Sequence, residues 1–148
     1  MDEIAYQLQH SVEVEATLDF VWAWQTDVRN CDDPPAQFRL EGPFTVGTSG
    51  STLLPGQPLL RWRIREAQPP RVYIIDMPLD RATCSFEWQF DALSERRTKL
   101  TQRLVLWGAN ATSYVPEVRA AFGSTLAGGM ERIGRAIAKA EASARRAG

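Results

Sequence analysis

The chain has 148 residues, of which 44% are hydrophobic and 24% are charged, values typical of a protein that folds in water. Its 17 basic and 18 acidic residues nearly cancel, so it lacks the positive field that nucleic acid attracts. No apolar run approaches the roughly 18 residues of a membrane-spanning helix, and the acidic start is unlike a secretory signal. We therefore expect one cytoplasmic domain over residues 1–148, with its core in 4–145, no nucleic-acid partner and no membrane insertion.

A half-buried strand and two short helices are predicted to open the chain. Thr17 is a suitable N-cap for a helix over Leu18 to Gln25, and Asp19 favours the helix dipole from the first turn. The polar segment from Asp27 to Pro35 predicts a second short helix or turn that closes into a loop. In the strand before them, polar residues alternate with an inward set made of Tyr6, Leu8, His10, Val12 and Val14.

Six further strands are predicted after these helices, separated by turn signals such as Pro55-Gly56 and Pro69-Pro70. Because the connections are short, the strands should form an antiparallel meander. The facing of residues 47–54 and 71–77 cannot be read, since the first range holds small residues and the second is apolar on both faces. Elsewhere the inward positions include Trp62, Phe86, Trp88, Phe90, Leu100, Gln102, Leu104 and Leu106.

A long apolar-striped helix is predicted from about Pro116 to Arg145. Pro116 suits the first helical position and Glu117 suits the first turn. Four glycines within the range cost about 1 kcal/mol each relative to alanine, so packing on the sheet must hold the helix together. Its stripe is formed by Val118, Phe122, Leu126, Met130, Ile133 and Ile137.

Three segments of the chain resemble one superfamily. They are His10 to Trp22 with Thr26-Asp27 after it, Glu41 to Gly47 followed by Pro55-Gly56 and the strand that runs into Pro69-Pro70-Arg71, and Arg97 to Gly108. Their order and spacing are similar to those of the START/Bet v 1-like (SRPBCC) superfamily, and more narrowly to its polyketide cyclase/dehydrase-like group. The resemblance implies an α+β helix-grip fold. In that fold a seven-stranded antiparallel sheet wraps around a long C-terminal helix, with two short helices after the first strand.

Members of this superfamily share a cavity rather than a set of catalytic residues, so the fold does not give the function. The cavity would lie between the sheet and the C-terminal helix, where aromatic side chains and an adaptable methionine suit a small hydrophobic ligand. Gln102, the one polar residue of its inward set, could orient that ligand or could be a buried amide bonded to the backbone. The expected lining residues are Trp62, Trp88, Phe90, Gln102, Leu104, Phe122, Leu126 and Met130.

Few residues offer catalytic or metal chemistry. His10 is the single histidine and faces inward, where it could be a general base or a hydrogen-bonded core residue. Asp76 could act as an acid only if it also points inward. One histidine and the two separated cysteines, Cys31 and Cys84, form no metal-ligand set, so we expect no metal and no cofactor. Both thiols are expected to be reduced and inert, with Cys84 buried.

Three functions remain open at this stage. The leading hypothesis is binding of a small hydrophobic or aromatic molecule in the internal cavity, and the sequence leaves a homodimer open. The alternative is a polyketide cyclase/dehydratase-like enzyme in which His10, Gln102 or Asp76 assists proton transfer. The third is a protein-interaction module that resembles the co-chaperone members of the superfamily and uses the sheet surface.

Overall fold

One antiparallel sheet organises the protein. The computed structural model describes residues 3–31, 37–53 and 55–147, without the side chain of Cys31. The predicted loop at Pro34-Pro35 lies outside these ranges. The strands are β1 (Ile4–Val14), β2 (Gln37–Leu40), β3 (Ser49–Leu53), β4 (Leu60–Gln68), β5 (Val72–Leu79), β6 (Ala82–Ser94) and β7 (Arg97–Trp107). Their order across the sheet is β1-β7-β6-β5-β4-β3-β2, and each neighbouring pair is antiparallel.

Three α-helices and two 3₁₀ turns accompany the sheet in the described ranges. The helices are α1 (Leu18–Gln25), α2 (Val115–Phe122) and α3 (Leu126–Ala147), and the 3₁₀ turns are Val28–Cys31 and Ala111–Tyr114. The two short helices expected after the first strand are thus α1 and a single 3₁₀ turn. This architecture confirms the α+β helix-grip fold, with a seven-stranded antiparallel sheet and a long C-terminal helix. No described helix is both long and apolar enough to cross a bilayer.

The C-terminal helical region is broken, where the sequence predicted one element. Residues 123–125 form a turn between α2 and α3, and their side chains are exposed. The Thr125 hydroxyl donates a hydrogen bond to the Ala121 carbonyl at 2.8 Å, and the Thr125 carbonyl accepts one from Gly129 N–H at 2.9 Å. Thr125 therefore closes the end of α2 and begins the hydrogen-bond ladder of α3.

Strand pairing fixes the two ranges whose facing the sequence could not give. In β5, Tyr73 lies opposite the buried Trp88, so Tyr73, Ile75 and Met77 point inward and Asp76 points outward. In β3, Gly50 lies opposite Trp62, whose indole packs over the bare glycine backbone. The indole Nε1 donates a hydrogen bond to Thr52 Oγ1 at 3.0 Å. A side chain at position 50 would occupy the space of this ring.

The inner face of the sheet packs against the C-terminal helices through two clusters of buried residues. The first cluster joins α1 and α3 to the sheet, and its members are Val14, Ala16, Val21, Tyr73, Trp88, Phe90, Leu100, Leu126, Met130 and Ile137. The second cluster lies under α2, and its members are Ala82, Cys84, Leu104, Leu106, Ala111 and Val118. The break between α2 and α3 therefore separates the helices that cover the two clusters.

Candidate functional site

A row of four side chains crosses the inner face from the edge strand inward. His10 of β1 lies opposite Gln102 of β7, Gln102 lies opposite Trp88 of β6, and Trp88 lies opposite Tyr73 of β5. Side chains that face each other on adjacent antiparallel strands have Cβ atoms about 5 Å apart, so neighbours in this row can interact. The row is polar at the β1 end and aromatic at the β5 end.

An aromatic cluster extends from this row towards α1 and the loop before β3. The Tyr73 ring centroid lies 4.9 Å from that of Phe44, 5.8 Å from that of Trp22 and 6.0 Å from that of Trp88. Phe90 lies 5.0 Å from Trp22 in an edge-on arrangement. Trp88 and Phe90 are buried, whereas Trp22 and Phe44 are only half-buried. The cluster therefore runs from the core of the protein to its surface.

Gln25 places an amide beside this aromatic cluster. Gln25 is 6% exposed, and its Nε2 donates a hydrogen bond to the Tyr73 hydroxyl at 3.2 Å. Its Oε1 is buried and accepts no hydrogen bond. Most buried polar atoms in proteins have a partner, so an unpaired amide oxygen needs an explanation.

The structure brings four of the eight expected lining residues into one cluster. Trp88, Phe90, Leu126 and Met130 all belong to the first core cluster. Gln102, at 9% exposed, adjoins Trp88 across the β6–β7 pair. This grouping places sheet and helix side chains in contact where the cavity was expected.

The remaining three expected residues lie elsewhere. Leu104 belongs to the second core cluster, and Phe122 packs against that cluster with its ring 5.6 Å from that of Phe86. Trp62 is held by Gly50 and Thr52 at the β3 side of the sheet. That all eight residues line one cavity stays a prediction.

His10 is half-buried on the inner face, as its strand pattern predicted. Its imidazole makes no hydrogen bond or ion pair with any described residue. A general base is normally oriented by a hydrogen-bond partner, and Gln102 is the residue opposite His10 in the β1–β7 pair.

Asp76 lies on the outer face of the sheet, so its suggested role in proton transfer inside the cavity is wrong. Its Oδ2 accepts a hydrogen bond from Arg65 Nε at 2.7 Å, and its Oδ1 accepts one from the Ser85 hydroxyl at 2.6 Å. Trp107 Nε1 donates in turn to Ser85 Oγ at 2.8 Å. This chain of hydrogen bonds ties four strands together on the side of the sheet away from α3.

Cys84 is a buried thiol, as predicted. It is 3% exposed, and burial, aided by the negative charge of Asp76, raises its pKa to about 12. A thiol with so high a pKa carries little thiolate at neutral pH and is a poor nucleophile. Among the described residues, no three His, Cys, Asp or Glu side chains are grouped as a metal site requires.

A surface hollow of about 330 Å³ lies at the ends of β1, β6 and α3. Two of its arginines have acidic partners, because Arg97 Nε lies 3.4 Å from Glu13 Oε1 and Arg145 Nη1 lies 3.7 Å from Glu141 Oε1. A third arginine, Arg96, shares the hollow with the carboxylate of Glu15, so the hollow lacks the strong excess of positive charge of an anion site. The hollow is lined by Glu15, Ser94, Arg96, Arg97 and Arg145.

Solved structures with this fold include small-molecule enzymes. Norcoclaurine synthase from Thalictrum flavum, in complex with dopamine and hydroxybenzaldehyde, superposes with a TM-score of 0.71 at 15% identity over 96% of this chain and 88% of that chain. An aromatase/cyclase from a Streptomyces species gives a TM-score of 0.65 at 18% identity over 97% and 98%. A polyketide-cyclase-like protein from Corynebacterium glutamicum gives 0.60 at 16% identity over 93% of each chain.

These similarities confirm the helix-grip fold that the sequence resemblance implied. No protein family's sequence model matches this chain, and no curated protein matches it. Because all three identities are low, the shared feature is the fold, which polyketide-cyclase-like and Bet v 1-like proteins have in common.

Sequence patterns missed four residues that the structure places at the centre of the site. Tyr73 lay in the strand whose facing could not be read, and no element or facing was predicted for Phe44. Trp22 and Gln25 belong to α1, where Gln25 follows the buried Val21 by four residues. That spacing puts both on one helix face, and it was the signal that Gln25 is buried.

Proposed function

We propose that this protein binds a small hydrophobic or aromatic molecule between the inner face of the sheet and its helices. The observation that carries the proposal is the aromatic cluster of Trp22, Phe44, Tyr73, Trp88 and Phe90, which connects the core to the surface. Clustered rings bury a large apolar area and give a planar ligand faces and edges to pack against. The complex of norcoclaurine synthase, a protein with this fold, with two small aromatic compounds supports the same assignment.

Catalysis in the same space is the second candidate function. The aromatase/cyclase with this fold supports it, as does the position of His10 opposite Gln102. With Asp76 on the outer face, these two residues are the remaining candidates for proton transfer. His10 without an orienting hydrogen bond is weaker support than the aromatic cluster, so we place ligand binding first.

Fluorescence titration with a panel of apolar and aromatic probes tests the binding function. Occupation of the site should quench the fluorescence of Trp22 and Trp88. Met130→Trp should block binding, because Met130 is fully buried in the same core cluster as Trp88 and a larger ring would fill the ligand space. Such overpacking costs about 1–3 kcal/mol of stability.

Ala136→Trp is the matched control, since Ala136 is exposed on the same helix and should leave binding unchanged. If no probe binds the unaltered protein, or if both tryptophan variants bind alike, the proposal is wrong. If probes bind as expected, mass spectrometry of small molecules retained by the purified protein would identify the natural ligand class.

A further inference from the structure

The side-chain amide of Gln25 is buried, and one of its two polar atoms has a hydrogen-bond partner. Nε2 donates to the hydroxyl of Tyr73, which fixes the plane of the amide and leaves Oε1 directed away from that hydroxyl. Gln25 and the fully buried Val21 share the face of α1 that packs on the sheet. The free acceptor therefore lies inside the protein, and solvent does not hydrate it.

An unpaired acceptor in this position lowers the stability of the folded protein, and an apolar side chain would avoid that loss. An amide oxygen loses its water hydrogen bonds on burial, and the loss is recovered only when another donor reaches it. Methionine has nearly the length of glutamine and would fill the same space without that loss. The hydrogen bond to Tyr73 accounts for Nε2 alone, and the unpaired Oε1 is explained if a donor arrives from outside the chain.

The surroundings of Gln25 restrict which donor fits. Tyr73, its partner, contacts the rings of Phe44, Trp22 and Trp88. An ionised carboxylate offers only acceptors and could not pair with Oε1. An ammonium could donate and ring faces attract cations, but removing a full charge from water at the buried Oε1 costs more than that attraction returns. A neutral hydroxyl attached to an aromatic ring can donate to Oε1 while its ring packs against the aromatic cluster.

We propose that Gln25, held by Tyr73, recognises a hydrogen-bond donor on the ligand, so that the site prefers hydroxylated aromatic molecules of the phenol class. This inference rests on the proposed function, since it requires that a ligand enters the aromatic cluster. It adds the chemical feature by which that ligand is selected. Gln25 Oε1 accepts from the ligand hydroxyl while the ring packs beside Tyr73.

Isothermal titration of 2-naphthol and 2-methoxynaphthalene at neutral pH tests this proposal. The two compounds share a ring system and an oxygen, but only the naphthol has a donor. The unaltered protein should bind naphthol roughly tenfold more tightly, the effect of one buried hydrogen bond. Gln25→Met should abolish the preference by weakening naphthol binding while leaving methoxynaphthalene binding nearly unchanged.

Thermal unfolding separates this role from a structural one. Gln25→Met removes the unpaired Oε1 but also the hydrogen bond from Nε2 to the Tyr73 hydroxyl, so the two effects oppose each other and its midpoint should stay close to that of the unaltered protein. Gln25→Leu provides a second variant if the methionine variant does not fold. Gln89→Met is the control, since Gln89 is exposed on the outer face of β6 and should alter neither affinity nor preference.

Equal affinity of the unaltered protein for both compounds would overturn the proposal. A naphthol preference that survives in both Gln25 variants would also overturn the proposal, because a group other than Gln25 would then accept the hydrogen bond from the naphthol hydroxyl. Failure of both compounds to bind would instead overturn the proposed function, and this inference with it.

Discussion

Glu141 of α3 accepts a hydrogen bond from the backbone N–H of Thr17 at 2.9 Å, across 124 residues of sequence. Thr17 is the N-cap of α1, and its own hydroxyl accepts from Phe20 N–H at 3.2 Å. The carboxylate of the C-terminal helix therefore sits at the positive end of the first helix, where negative charge is favourable. Glu141 is 5% exposed, so this contact is part of the core.

Glu141→Ala should lower the free energy of unfolding by about 1–3 kcal/mol, because it leaves the Thr17 N–H without its acceptor. Glu141→Gln keeps an acceptor and should cost less. Urea unfolding measures both changes. Glu131→Ala is the control, since Glu131 is exposed on the same helix, and surface changes usually stay within about 0.5 kcal/mol. Equal losses for Glu141→Ala and Glu131→Ala would contradict a capping role.

Two glycine-to-alanine substitutions should have opposite effects on stability. At Gly50 an added Cβ would overlap the Trp62 indole, so Gly50→Ala should destabilise the fold by about 1–3 kcal/mol. At Gly128 in α3 an added Cβ meets no atom within 4 Å beyond the adjoining backbone of its own helix, so Gly128→Ala should raise stability by about 0.5–1 kcal/mol. Denaturant unfolding of both variants checks the signs. A neutral Gly50→Ala would mean that the indole of Trp62 moves freely.

Cys84 should make stability fall in alkaline solution. Its pKa rises from an ordinary 9.0 to about 12 in the folded protein, mainly through burial. Below pH 9 the thiol is protonated in both states. Between pH 9 and pH 12 it ionises only in the unfolded chain, which lowers the free energy of unfolding by roughly 1.4 kcal/mol per pH unit.

The control for this pH dependence is Cys84→Ala, which should flatten the slope above pH 9. A Cys31→Ser background leaves Cys84 as the single thiol for a second measurement. In that background, labelling by a thiol reagent at pH 8 should be negligible until the protein is denatured. Rapid labelling of the native protein would show that the thiol is neither buried nor protonated.

His10→Ala separates ligand binding from catalysis. Because the imidazole bonds to no described residue, its removal should leave the affinity for apolar probes nearly unchanged, as measured by fluorescence titration. If the protein is instead an enzyme with His10 as its base, the same variant should cut turnover by roughly 10²–10⁴-fold at similar affinity. We expect the binding result. Turnover of a substrate that His10→Ala abolishes at unchanged affinity would reverse that choice.

Side-chain alternation was enough to predict the strands that have one polar face. β6 is the clearest case, since Trp88 and Phe90 face inward as expected and Gln89 faces outward. The facing of β5 could not be predicted, because both of its faces carry apolar side chains. Ile75 packs on the inner face, and Ile74 is buried on the outer face. The pairing of β5 with its neighbours β4 and β6 settles that register.

Burial of polar residues on helices was harder to predict. Glu141 continues the stripe of α3 four residues after Ile137, and Gln25 follows Val21 in the same way, so the spacing indicated both positions. The partners that make these positions favourable, Thr17 and Tyr73, are distant in sequence. The break between α2 and α3 was not predicted, because Phe122 and Leu126 keep the four-residue spacing of the apolar stripe across the turn.

The three-residue turn between α2 and α3 makes the two ends of the inner face separable for protein engineering. Changes in α2 would reshape the packing over Leu104 and Cys84, while the Thr17–Glu141 contact keeps α3 fixed against α1. A continuous helix would transmit any tilt at one end to the other. In this chain a designer can rebuild the wall at one end of the sheet and leave the aromatic end as it is.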